Sequence, residues 1–165
     1  MLYGDPVLRE KCIPIGEINR EVKDLVAEMV ATLKKAGGLG LAASQTGVAV
    51  KIFIVDLSSV DLAESIKVFI NPHILETSGE VTMEEGCLSF PGIYQDIVRP
   101  ERVTVKATGL DGKEFTLEAT GILARAIQHE NDHLAGILFI DHFPPLSRAL
   151  IRGKLSKLKK TATAS

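Results

Sequence analysis

The sequence predicts an α+β fold, and three observations predict it. A long amphipathic helical pattern comes first, several short β-rich runs follow, and helical patterning returns only after them. That order differs from the strict β-α-β alternation of a parallel sheet. At 165 residues the chain has the length of one domain and can bury a sizeable core. With no internal repeat and no linker, residues 1–165 read as a single domain.

The elements follow in chain order. In "EINREVKDLVAEMVATLKKAGG", Ile18, Val22, Leu25, Val26, Met29, Val30 and Leu33 recur at helical spacing, and Gly37-Gly38 supplies a stop. "KIFIVDL" (51–57) and "KVFINP" (67–72) are short β-rich runs broken by polar turns. "RVTVKATGLDGKEFTLEAT" holds two alternating runs around a turn at Leu110, Asp111 and Gly112, which predicts a β-hairpin. From Gly121 the pattern is helical through His133 and stops near Gly136. After Pro144-Pro145, residues 146–165 read as a last helix with a frayed "TATAS" tail. That helix carries Arg148, Arg152, Lys154, Lys157, Lys159 and Lys160 and no acid.

Composition narrows the classes of function. Hydrophobic residues at 45%, charged residues at 24% and a net charge of −2 describe an ordinary globular protein. Such a charge gives no overall field to recruit DNA or an anionic membrane. No apolar run approaches the roughly 20 residues of a membrane span, and the first residues lack the pattern of a secretory signal. With only Cys12 and Cys87, at most one disulfide can form. The expectation is a cytoplasmic enzyme or binding domain with reduced thiols.

One stretch carries chemistry outright. "QHENDH" holds His129, Glu130 and His133 as H-E-x-x-H. On a helix, residues i and i+4 lie about 40° apart around the axis and about 6 Å along it, so both imidazoles can aim at one metal ion. Glu130 sits about 100° round from His129, beside such a metal rather than on it, where a general base belongs. Against this stands the plainer reading of two polar residues on a helix face. A catalytic metal also wants a third protein ligand. A metzincin would place a histidine where this chain has Phe139, and no Glu follows Glu130. Asp141 and His142 are the later candidates. Cys87, in "MEEGCLSFPG", is the best upstream one, its thiolate suiting iron or zinc. The alternative for Cys87 is a buried free thiol, the reading that also fits Cys12. In "GGLGLAASQ" the glycines let an extended backbone approach a ligand, and Gln45 ends the run with an amide donor. The stretch lacks the third glycine and the Gly-Lys-Ser/Thr of nucleotide-binding loops.

Taken together, the three stretches resemble the peptide deformylase family. Its motifs G-x-G-x-A-A-x-Q, E-G-C-x-S and H-E-x-x-H stand here as Gly38–Gln45, Glu85–Ser89 and His129–His133, in that order. "GDPVLR" near the start and "INP" at 70–72 extend the likeness over nearly the whole chain. The resemblance implies mixed or antiparallel β-sheets packed around a central H-E-x-x-H helix, with an N-terminal and a C-terminal helix. It implies that Cys87, His129 and His133 bind one divalent metal, natively Fe²⁺, with Zn²⁺, Ni²⁺ or Co²⁺ as possible occupants. The implied reaction removes the N-formyl group from the initiator methionine of nascent polypeptides and releases formate. Glu130 matches the general base and acid, while Gln45 and the backbone N–H of Leu88 match donors to the oxyanion.

Further residues follow from position. Leu39, Gly40, Gly86, Ile122 and Ala126 are expected to wall the methionine pocket, with plain core packing as the alternative, above all for Ile122, and Arg125 to sit at the pocket rim touching the peptide. Asp132, Glu85 and Arg99 are either anchors of a ligand and its loop or surface salt bridges. Tyr94 stands where some relatives carry Arg. Relatives with a long C-terminal helix suggest a ribosome contact for the basic end, against the alternative of a solvated face. Two other functions compete: a metallopeptidase acting on internal amides, and a structural protein with a closed metal site.

Overall fold

The structure is a computed structural model that describes residues 1–61 and 64–162. Seven strands and four α-helices occur among them: α1 (Arg20–Ala36), β1 (Gly40–Ala42), β2 (Ile52–Val55), β3 (Lys67–Ser78), β4 (Val81–Gly86), β5 (Tyr94–Arg99), β6 (Arg102–Thr108), β7 (Glu114–Thr120), α2 (Gly121–Leu134), α3 (Pro145–Leu150) and α4 (Arg152–Ala162). Every strand pairs antiparallel with its neighbour. Five strands form one sheet in the order β1-β2-β3-β6-β7, and β4 and β5 form a second sheet of two.

Periodicity explains the layers. Strand β2 is buried on both faces, because helices cover both. Val22, Val26, Met29 and Leu33 of α1 share a cluster with Ile52, Ile54 and Ile70. On the opposite face Phe53, Val55, Phe69 and Val105 pack with Ala124, Ile127 and Leu134 of α2. The Phe53 and Phe69 rings stack at 4.6 Å. The helix α1 starts where the Asn19 side chain accepts from Val22 N–H at 3.1 Å. It stops at Gly37, whose φ of 69° closes the last turn.

A third cluster joins the ends of the chain. Leu8, Phe90, Ile97, Phe139, Phe143 and Leu155 pack together, with Tyr3 and Leu158 against them. There α4 lies so close to the N-terminal segment that a Cβ on Gly4 would stand 2.7 Å from Lys159 Cα. The Lys159 ammonium sits 5.4 Å from the centre of the Tyr3 ring.

Several expectations change. The run at 67–72 continues to Ser78, through a bulge at which Asn71 adopts a φ of 50°. The Asn71 amide bonds both the N–H and the carbonyl of Ile15, which stabilises that backbone. The last helix is two helices, broken at Ile151. Thr161 and Ala162 belong to α4, and 163–165 of the expected tail lie outside the described residues. Cys12 and Cys87 are free thiols and form no disulfide.

Candidate active site

Helix α2 crosses the large sheet and presents one polar stripe at i, i+4 and i+7: Arg125, His129 and Asp132. His133 lies one turn beyond His129, and their rings are 5.2 Å apart. The stripe faces the second sheet. Cys87 immediately follows β4, in a turn closed by the Phe90 N–H donating to its carbonyl at 2.9 Å. That turn brings Cys87 Sγ to 3.3 Å from His133 Nε2. One ligand atom from each of Cys87, His129 and His133 lies within 4.8 Å of the others.

The donor set fits a divalent cation. Glu85 Oε2 engages His129 Nδ1 at 3.0 Å, which leaves Nε2 as the nitrogen available to a metal. His133 is buried and turns its Nε2 toward the thiol. Three protein donors leave a position for water or substrate, the arrangement of a catalytic site. Asp141 instead holds Arg9, and His142 holds Asp132 at 2.8 Å. Among the described residues, neither joins a group of possible metal ligands.

Beside these ligands lies a cavity of about 490 Å³, lined by Leu39, Gly40, Gln45, Glu85, Gly86, Cys87, Leu88, Tyr94, Ile122, Arg125, Ala126, His129 and Glu130, among others. Glu130 is buried, and its Oε2 has no hydrogen-bond partner among the described residues. Burial pushes its carboxyl up to about 7, with the charge of His129 pulling against that rise. Gly40 is required here, since a Cβ would stand 2.5 Å from Glu130 Oε1. The Gln45 carbonyl oxygen accepts from Ala42 N–H at 2.9 Å. Its NH₂ therefore points the other way, to Ser89 Oγ at 3.2 Å and Cys87 Sγ at 3.6 Å. Tyr94 is largely exposed, and its ring covers Gly86, where a Cβ would meet it at 2.7 Å.

Behind the ligands lies a charged network that is buried, not a set of surface salt bridges. Glu85 accepts from Arg99 Nε and Nη2 at 2.5 and 3.0 Å, and from Arg125 Nη1 at 2.7 Å. Burial raises the Glu85 carboxyl, but hydrogen bonds from His129 and Arg99 outweigh it and hold the group well below the usual range. Arg99 reaches on to Asp132 at 2.8 Å.

Arg125 requires a correction. It lines the cavity but is buried rather than at the rim, and its Nη atoms are bound within the protein. Helical position gives the direction of the Arg125 side chain but not the groups that meet it. Here a carboxylate and two carbonyls intercept it. Ser89 holds the Gln45 amide, a role that its place at the close of the E-G-C-x-S stretch does not reveal without the fold. Met83, Phe90 and Ile93 also line the cavity without a signal that singles them out.

Comparison with known proteins agrees with this geometry. A profile of the polypeptide deformylase family matches residues 1–149. The chain belongs to the polypeptide deformylase family. It is 49% identical over 158 residues to the peptide deformylase of Thermodesulfovibrio yellowstonii, covering 96% of this chain and 95% of that one. The crystal structure of the Thermus thermophilus peptide deformylase superposes with a TM-score of 0.89 at 38% identity, covering 98% and 96%. For the Plasmodium falciparum enzyme the TM-score is 0.93 at 33% identity, covering 100% and 97%. As a peptide deformylase, the protein is a metal-dependent enzyme that removes the formyl group from nascent peptides.

Proposed function

We propose that Cys87, His129 and His133 hold the divalent metal and that Glu130 is the general base and acid of formyl hydrolysis. The observation that carries this reading is the meeting of the three donors beside the buried, unpartnered Glu130 oxygen. Fe²⁺ is the native occupant in this reading because the family resemblance implies it; the thiolate and two imidazoles would equally accept Zn²⁺, Ni²⁺ or Co²⁺. When bound, the ion supplies positive charge that acidifies water and stabilises negative charge on the formyl oxygen.

The chain's own groups do the rest. Glu130 takes the proton of the attacking water and later delivers it to the departing amine nitrogen. The Gln45 NH₂, preset by Ala42 and Ser89, and the backbone N–H of Leu88 donate to the developing oxyanion. Leu39, Gly40, Gly86, Ile122 and Ala126 form the walls for the methionine side chain. Arg125 touches the substrate region only from behind.

Residues 1–165 form one domain, supported by the cluster that Leu155 shares with Leu8 and Phe90. No helix among the described residues is long and apolar enough to cross a membrane, and a cytoplasmic location fits the two free thiols. The basic C-terminal end contacts the ribosome in this reading, supported by exposed Arg152, Lys154 and Lys157.

The test follows formate release from a formyl-Met peptide by anaerobic Fe²⁺ protein. Glu130→Gln is expected to keep its metal and lose about 10²- to 10⁴-fold in kcat. Equal turnover by the variant, or cleavage of internal amides in an unformylated peptide, contradicts the assignment.

A further inference from the structure

We infer that Arg125 is the positioning residue for the third metal ligand: its guanidinium fixes the β4–β5 hairpin to α2 and so sets where the Cys87 thiolate stands against His129 and His133. The inference rests on Cys87 being a ligand.

The need arises from topology. His129 and His133 ride on a helix packed against the five-stranded sheet, whereas Cys87 immediately follows a strand of the other sheet. No strand ladder joins the two sheets among the described residues. A two-stranded hairpin is marginal by itself, so side chains must hold it in register with α2.

Arg125 reaches both strands at once. Its Nη1 donates to Glu85 Oε1 and to the Ile97 carbonyl, each at 2.7 Å, and its Nη2 to the Val81 carbonyl at 2.7 Å. The acceptors lie at the start of β4, near its end and within β5. One of them is two residues from Cys87. Two other tethers join α2 to the hairpin: His129 Nδ1 to Glu85 Oε2 at 3.0 Å, which reaches β4 alone, and Arg99 to Asp132, through a side chain 21% exposed, whereas both partners of the Arg125–Glu85 pair are at most 7% exposed. A planar guanidinium can serve three such acceptors in fixed directions, which an ammonium on a flexible stem cannot. Its bound Nη atoms, and an Nε that is buried without a partner, leave the group little to offer a substrate.

The experiment uses the full chain loaded with Co²⁺, whose thiolate charge-transfer absorption reports Cys87 and whose visible bands report overall coordination. Wild type is compared first with Cys87→Ala. Absence of a thiolate band in wild type removes the ligand assignment itself, independently of Arg125. In Arg125→Met the thiolate band is expected to weaken, and release of Co²⁺ to a chelator to quicken by about 10- to 100-fold. The same variant is expected to lose kcat with little change in KM for a formyl-Met peptide, and Arg125→Lys to fall between. An unchanged band and release rate in folded Arg125→Met overturn the inference, as does a raised KM with intact kcat. If Arg125→Met does not fold, Arg125→Lys is read by the same criteria. If neither folds, Arg125 is a folding residue and the inference fails.

Discussion

Gly40 and Glu130 show how little room the site leaves at the scale of single residues. The missing side chain of Gly40 is the space that the Glu130 carboxylate occupies. Gly40→Ala is therefore expected to keep the fold and, with Glu130 as the proposed base, to lose most of its formate release, because the Glu130 carboxylate must swing away from a Cβ at 2.5 Å. Unaltered turnover by Gly40→Ala would show that Glu130 need not stay where it stands. Much of this was legible in the sequence, since H-E-x-x-H dictates the helical geometry of His129, Glu130 and His133. Arg125 was not, because periodicity gives a side chain's direction but not the carboxylate and carbonyls that stop it.

At the scale of elements, the same contrast separates α1 from β4–β5. The stripe Val22, Val26, Met29 and Leu33 has an apolar residue at each buried turn, and the helix was readable from it. The hairpin was not, because its buried positions include Glu85 and Arg99, where a pattern of alternation needs apolar side chains. Paired charges inside satisfy each other only once the chain has folded. The elements also differ in what holds them. Phe139 lies fully buried beside His129, with ring contacts to Phe90 and Phe143 at 5.0 Å each. Phe139→Ala is expected to cost about 3–5 kcal/mol of stability. Thermal or urea unfolding measures it, and a loss under about 1 kcal/mol would mean that the cluster closes over the gap.

For the whole molecule, the contact between the two ends of the chain adds a dependence on pH. Asp141 is bound by Arg9 of the N-terminal segment and accepts from Leu138 N–H. Burial pushes the Asp141 carboxyl up, yet the Arg9 hydrogen bond and charge outweigh burial and hold it below its ordinary value. Its stabilisation is thus present above the unfolded-state pKa of about 3.9 and is lost as pH falls through the lower folded value. Wild type is expected to exceed Asp141→Asn in urea midpoint at neutral pH, the gap shrinking below about pH 4. A gap that persists in acid would assign the difference to packing instead. The cluster that closes around Leu8 and Leu155 bears equally on the gene. A stop codon before position 152 would not trim an appendage. It would strip one wall from a core begun by the first ten residues, so a loss on truncation reports the fold before it reports the proposed ribosome contact. Charge reversal at Lys154 and Lys157, which are exposed, separates the two.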